Sequence, residues 1–115
     1  MGSSCAARLA DKQYEACLVE LGNAVRMDPK YHEAFNGIGL AHYYRGRNGD
    51  ALESFRRASA LQPKSGNYLF NVGIALVALG RLDEAKQVQN TLMSLDAAKG
   101  RDLLTKIAIA GVPKE

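Results

Sequence analysis

The sequence predicts an all-α fold built as a helical-repeat solenoid, and three observations carry that expectation. Ala51, Phe55, Ala58, Leu61 and Pro63 have counterparts 34 residues upstream at Cys17, Leu21, Ala24, Met27 and Pro29. Gly39, Gly46, Ala51 and Leu61 have counterparts 34 residues downstream at Gly73, Gly80, Ala85 and Leu95. Between these landmarks apolar residues recur at three- and four-residue spacing, the period of a helix that buries one face. A solenoid displays a surface rather than enclosing an active site, which turns the functional question towards recognition of another macromolecule.

The elements follow in order. From Lys30 to Pro63 two helices are expected, the first over about His32 to Tyr44 with Phe35, Ile38, Gly39 and His42 on its buried stripe. Gly46 ends it. Asn48 is the expected cap of the second helix, which carries Ala51, Leu52, Phe55, Ala58 and Leu61 before Pro63 stops it. The next unit places Leu69, Val72, Gly73 and Leu76 on a first helix, a turn at Gly80, and Ala85, Val88, Leu92 and Leu95 on a second. Ala97 stands where the repeat would bring a proline, so the chain is expected to run directly into a last helix over about 97–109. Leu103, Leu104 and Ile107 should face inward on it, with Lys99, Arg101, Asp102 and Lys106 in water, as on a cap that seals the stack. At the other end Tyr14, Cys17, Leu18, Leu21, Ala24 and Met27 make the second helix of a partial first unit over about 3–31, whose short first helix would carry Cys5 and Leu9. One domain results: a partial repeat, full repeats over about 32–65 and 66–97, and the cap.

At 115 residues and 47% hydrophobic content the chain suits one stacked helical core. Its net charge of +3 is dispersed, Arg56 and Arg57 lying near Glu53 and Arg81 near Asp83 and Glu84, so no basic stripe declares a nucleic-acid partner. Cys5 and Cys17, twelve residues apart without a CxxC or a histidine pair, suggest neither a disulfide framework nor a zinc site, and a reducing, cytoplasmic setting is expected. No run approaches a membrane span, and the N-terminus lacks the basic and apolar segments of a signal peptide. Met1 to Ser4 is compatible with a native start and with an added cloning sequence, so an exported parent stays open.

Phe35-x2-Ile38-Gly39-x2-His42, then Ala51-x3-Phe55, Ala58 and Pro63, resembles the tetratricopeptide repeat pattern W-x2-L-G-x2-Y, A-x3-F, A and P. The resemblance covers roughly residues 10 to 97, and departs from the pattern at Gln89, where an aromatic is usual, and at Ala97. It implies a right-handed α-α superhelix of helical hairpins whose concave groove, lined by the first helices of successive repeats, holds a peptide or a helix. Gly39 or Gly73 on one helix and Ala51 or Ala85 on the other are expected to let each hairpin cross closely. On that view Ala51→Leu should cost more than Leu52→Ala, overpacking a crossing being worse than trimming its flank.

The stripe left over by the hairpin core supplies the candidate groove: Asn36, Leu40, Tyr43 and Tyr44 in one unit, Asn67, Phe70, Asn71, Ile74 and Val77 in the next. Aromatics offer stiff contact area, and asparagines can bond a ligand backbone. The competing reading is that Leu40, Ile74 and Val77 pack against adjacent repeats and that Asn67 caps a helix. Family members that grip a C-terminal carboxylate use Lys, Arg and Asn at groove sites that here carry Gly37, Leu40, Asn67 and Asn71, so an apolar peptide or amphipathic helix is the better match. His42 and His32 are too far apart for a one-face metal pair, and His42 reads as a packed side chain. Gly37-x-Gly39 lies inside a helix without a preceding strand and reads as close packing rather than a phosphate loop. Cys17 reads as a buried inert thiol and Cys5 as an exposed reactive one.

These readings converge on a noncatalytic adaptor for a protein or peptide partner, with no cofactor, metal or membrane. The alternative is homo-oligomerisation or docking through the open N-terminal end around Leu9, Tyr14, Leu18 and Leu21. RNA binding through Arg45, Arg47, Arg56 and Arg57 ranks below both.

Overall fold

The structure, a computed structural model, describes residues 14–111. They form α1 (Tyr14–Met27), α2 (His32–Tyr44), α3 (Asn48–Leu61), α4 (Gly66–Ala78), α5 (Leu82–Leu95) and α6 (Ala97–Ala110), with no strand among the described residues. The short first helix expected before α1, with Cys5 and Leu9, lies outside them. Each helix packs on its neighbour in sequence, and α6 also packs on α4. The helices therefore form two layers: α2, α4 and α6 in one, α1, α3 and α5 in the other.

Glycine turns connect the layers. Gly46 and Gly80 take φ values of 81° and 77°, the left-handed conformation that other residues adopt only at a cost. Around the first, Arg47 N–H donates to His42 O at 2.8 Å and Gly46 N–H to Tyr43 O at 3.0 Å; around the second, Arg81 and Gly80 repeat the pattern on Leu76 and Val77. Both are paired helix-terminating bonds that absorb the last free carbonyls. Helix starts follow the sequence less closely. Asn48 opens α3 from within, and Arg47 occupies the cap position without a side-chain bond. Ser65, not Asn67, caps α4, its hydroxyl accepting from Tyr68 N–H. Asp96 closes α5, and its carboxylate accepts from Lys99 N–H to start α6, so one residue makes the connection.

The main core joins Leu52 and Phe55 of α3, Val72 and Leu76 of α4, Leu92 of α5, and Leu103 and Ile107 of α6. A smaller cluster at the α1–α2 end holds Cys17, Leu21, Ala34 and Ala41. Ala34 and Ala41 escape the apolar pattern because alanine is too small to mark a stripe, yet both are buried. Ala51 and Leu52 are both buried, so Leu52 is no flank, and the expected ranking of their substitutions loses its basis. Cys17 is disulfide-bonded rather than an inert thiol, and the sequence holds one other cysteine, Cys5, outside the described residues.

Two glycines set interhelical distances differently from the expectation of one rule for both. A Cβ on Gly39 would lie 2.5 Å from the Phe55 ring, which confirms close crossing within the α2–α3 hairpin. A Cβ on Gly73 would instead collide with Leu103 of α6, so this glycine makes room for the last helix and not for Ala85. Gly37 keeps a similar clearance from Leu21. Gly22 has nothing within 4 Å, and Gly22→Ala is therefore expected to stabilise the chain by ~0.5–1 kcal/mol through helix propensity alone, read as a rise in thermal midpoint.

On α6, Leu103 and Ile107 are buried as expected, but Leu104 is 50% exposed and Lys99 is half-buried. Counting by the repeat explains the first. Leu103 is the 34-residue successor of Leu69, and Leu104 that of Phe70, so α6 occupies the place of another first helix.

Candidate functional site

The predicted residues lie on α2 and α4 of the first-helix layer, and α6 follows α4 in the same layer. Phe70 and Leu104 are successive members of one 34-residue row that begins at Asn36; Leu40, Ile74 and Ala108 make a second. Phe70, Ile74 and Leu40 are half-buried, Leu40 packing between the two cores. Tyr43 and Val77 rest on the main core while keeping part of their surface open. Tyr44 is 58% exposed and meets the Tyr43 ring edge-on at 5.7 Å between centroids. Asn67 is exposed at the start of α4. Core packing thus accounts for part of Leu40, Tyr43, Phe70 and Val77, but no neighbour covers Tyr44 or Leu104 fully.

Polar bonds tie this surface together at one junction. Asn71 Nδ2 donates to Asn36 Oδ1 at 2.8 Å, joining α4 to α2. His32 Nδ1 and the Tyr68 hydroxyl lie 2.7 Å apart, with their rings tilted at 60°. Burial, and then the negative charge of Glu33, push the Tyr68 phenol up from its ordinary value, so the hydroxyl keeps its proton and donates whenever Nδ1 is bare. Lys99 of α6 sits 5.8 Å from the centre of the Phe70 ring. Sequence reasoning missed His32, Tyr68, Lys99 and Leu104. Continuing the 34-residue register past Ala97 would have found Leu104, and the near-repeat separations of His32 from Tyr68 and Asn36 from Asn71 hinted at the two bonds.

His42 is half-buried, and desolvation leads in pushing its imidazole below the ordinary value, with Arg47 and Arg45 adding to it against Asp50. The unfolded chain binds that proton more readily than the folded one, so acidification below the ordinary histidine range weakens the fold. A neutral, packed ring agrees with the core reading of this residue. Among the described residues no three His, Cys, Asp or Glu side chains gather as a metal cluster.

The opposite layer carries charge. Arg81 and Arg56 both reach Glu84, at 2.8 and 3.1 Å, and hydrogen bonding from Arg81 leads in holding its carboxyl below the usual range. Arg57 lies 3.8 Å from Glu53 and 5.8 Å from the centre of the Phe35 ring. Arg56 and Arg57, candidates for an RNA contact, are thus engaged in ion pairs. No helix among the described residues is long and apolar enough to cross a membrane.

The profile of the tetratricopeptide repeat family matches residues 36–92. The chain is 27% identical over 99 residues to Superkiller protein 3 of Schizosaccharomyces pombe and 37% identical over 73 residues to Superkiller complex protein 3 of Mus musculus. Those alignments cover 86% and 64% of this chain but only 7% and 5% of the relatives, so it spans a small part of their length. Among solved structures, the first tetratricopeptide domain of Spaghetti (RPAP3), bound to the HSP90 peptide SRMEEVD, superposes with a TM-score of 0.83 at 19% identity, covering 94% of this chain and 87% of that one. The Yersinia enterocolitica type III secretion chaperone SycD, in complex with a peptide of the translocator YopD, gives 0.78 at 19% identity over 95% and 85%. The repeat pattern, the two-layered helices and these likenesses agree: the chain belongs to the tetratricopeptide repeat family.

Proposed function

We propose that this chain is a noncatalytic interaction module that buries an apolar peptide or an amphipathic helix of a partner protein in the groove of its first-helix layer. One observation carries the reading. Apolar residues with open surface occur on all three helices of that layer, Tyr43 and Tyr44 on α2, Phe70 and Ile74 on α4, and Leu104 on α6 in the 34-residue register of Phe70. A stripe beyond what the core covers needs another surface to cover it. The Asn36–Asn71 pair shares one bond internally, which leaves the Asn36 amide hydrogens and the Asn71 carbonyl oxygen to meet a ligand backbone.

The structural neighbours support a peptide-binding role for the fold. RPAP3 domains are described with HSP90 and HSP70 peptides ending in EEVD. This chain carries Gly37, Leu40, Asn67 and Asn71 at the matching groove sites, none of them cationic, which favours an apolar ligand over a carboxylate clamp. A second reading is docking or self-association through the α1 end, favoured by Val19 and Met27, the latter 88% exposed.

The test is partner capture with two variants. Tyr44→Ser/Leu104→Ser removes exposed side chains without entering the core, and Phe70→Ala removes the central anchor. Captured protein should fall about tenfold or more with each, while circular dichroism stays unchanged for the first. Equal capture by all forms, together with a mass that grows with concentration, would shift the weight to the α1 end.

A further inference from the structure

Between α3 and α5, on the side of the molecule away from the groove, lies an open cleft of about 550 Å³. Leu69, Val72, Leu76 and Val88 form its apolar interior, and Arg56, Arg81 and Glu84 stand at its rim. Two residue changes between repeats accompany it. One repeat earlier the residue matching Leu69 is Phe35, and the residue matching Thr91 is Arg57, 34 positions upstream in each case. There the arginine lies over the aromatic ring at 5.8 Å from its centre. Here the ring is replaced by a leucine, and the covering side chain by Thr91, whose hydroxyl turns back to Gln87 O on its own helix. An apolar hollow is left without its lid.

The rim is charged unevenly. Two guanidiniums converge on the one carboxylate of Glu84, and about half of each arginine side chain remains in solvent. A smaller cleft adjoins the first at Arg56 and Arg81 and reaches Arg57 and Glu53, where the ion pair is long at 3.8 Å. Arg56, Arg57 and Arg81 against Glu53 and Glu84 leave one positive charge over the apolar floor. Arginine pairs well with a second carboxylate in such a setting, because its planar fork has donors to spare.

We propose that this cleft is a second docking site, separate from the groove, for an acidic segment of a partner protein that inserts a leucine or an aromatic side chain between Arg56 and Arg81. The apolar side chain takes the place that the ring and its covering arginine occupy in the preceding repeat. The flanking carboxylates take up the unshared donors of the two arginines. An open cleft of this shape suits a protein segment, which brings its own backbone to cover the mouth, better than an enclosed small molecule.

The experiment is selection of a random peptide library displayed on phage against the wild-type chain, with counter-selection on Leu69→Phe/Thr91→Arg. That variant restores the ring and lid of the preceding repeat and is compatible with the fold there. Surviving peptides should combine acidic residues with a large apolar one. Their synthetic versions should bind about tenfold more weakly to the filled variant. Arg56→Gln/Arg81→Gln should weaken them and flatten their salt dependence, whereas the Tyr43→Ala/Phe70→Ala groove variant should leave their affinity unchanged. If the filled variant does not fold, the arginine pair carries the comparison alone. The proposal is overturned by survivors indifferent to both cleft variants, by cleft-dependent peptides that are neutral or basic, by an absence of survivors, or by cleft-dependent binding of a probe such as laurate in place of any peptide.

Discussion

Gly39→Val is expected to cost about 3 kcal/mol or more and to leave a chain with little folded population on mild heating. The first added carbon alone would sit 2.5 Å from Cδ1 and Cε1 of Phe55, and that ring is itself fully buried in the main core. A rigid ring cannot turn its end aside, so relief requires the α2–α3 hairpin to open, and the neighbouring contacts of Leu52 and Leu76 open with it. Gly39→Ala separates the opposing effects. It gains roughly 1 kcal/mol of helix propensity and still loses stability overall, by about 1–2 kcal/mol. Trimming the ring should return part of the loss, so Gly39→Ala/Phe55→Leu should be more stable than the sum of its single changes by ~1 kcal/mol. Urea unfolding of the four forms reads this directly. A Gly39→Ala midpoint at or above that of the wild type would show that the crossing is looser than the geometry says.

Leu103→Ala carries the second large effect. This side chain is fully buried where α6 meets α4, and its removal should cost about 2–5 kcal/mol for lost burial and the cavity left behind. The sharper result is a change of sign at Gly73. In the wild type a Cβ there collides with the tip of Leu103, so Gly73→Ala is neutral or harmful. With Leu103→Ala in place the same carbon enters vacated space, and Gly73→Ala should raise stability by ~1 kcal/mol through propensity and partial filling. Thermal melts of the two pairs decide it. The same sign in both backgrounds would mean that Gly73 answers to something other than α6.

The helix spans and hydrophobic stripes were legible in the sequence because leucine, phenylalanine and valine mark a helical face by their spacing. Three kinds of feature were not. Ala34 and Ala41 are core residues without bulk, so a pattern of large side chains passes over them. Asn48 has the chemistry of a cap but sits one residue inside the helix, while Arg47 takes the cap position unaided. Cys17 lacks the spacing of a disulfide framework, and its bond depends on three-dimensional approach that spacing does not report.

The candidate groove was partly legible for a related reason. The stripe left over by the hairpin core supplied Phe70 and Tyr44 as candidates, but treating α6 as a seal obscured that it continues the 34-residue register and brings Leu104 and Lys99 alongside. The cleft between α3 and α5 was invisible to a search for motifs. It becomes readable only when one repeat is laid on another and the exchange of Phe35 for Leu69 and Arg57 for Thr91 is noticed.

The junction between the two full repeats is held on both sides. His32–Tyr68 and Asn36–Asn71 close it at 2.7 and 2.8 Å on the groove side, and Arg56–Glu84 closes it at 3.1 Å on the other. The packed core between them acts as a fulcrum, since close-packed interiors yield little to compression. The two fastenings differ in what loosens them: half-buried hydrogen bonds respond little to ionic strength, while an exposed ion pair is screened by it. Added salt therefore weakens the outer fastening first and leaves the two inner bonds to hold the junction.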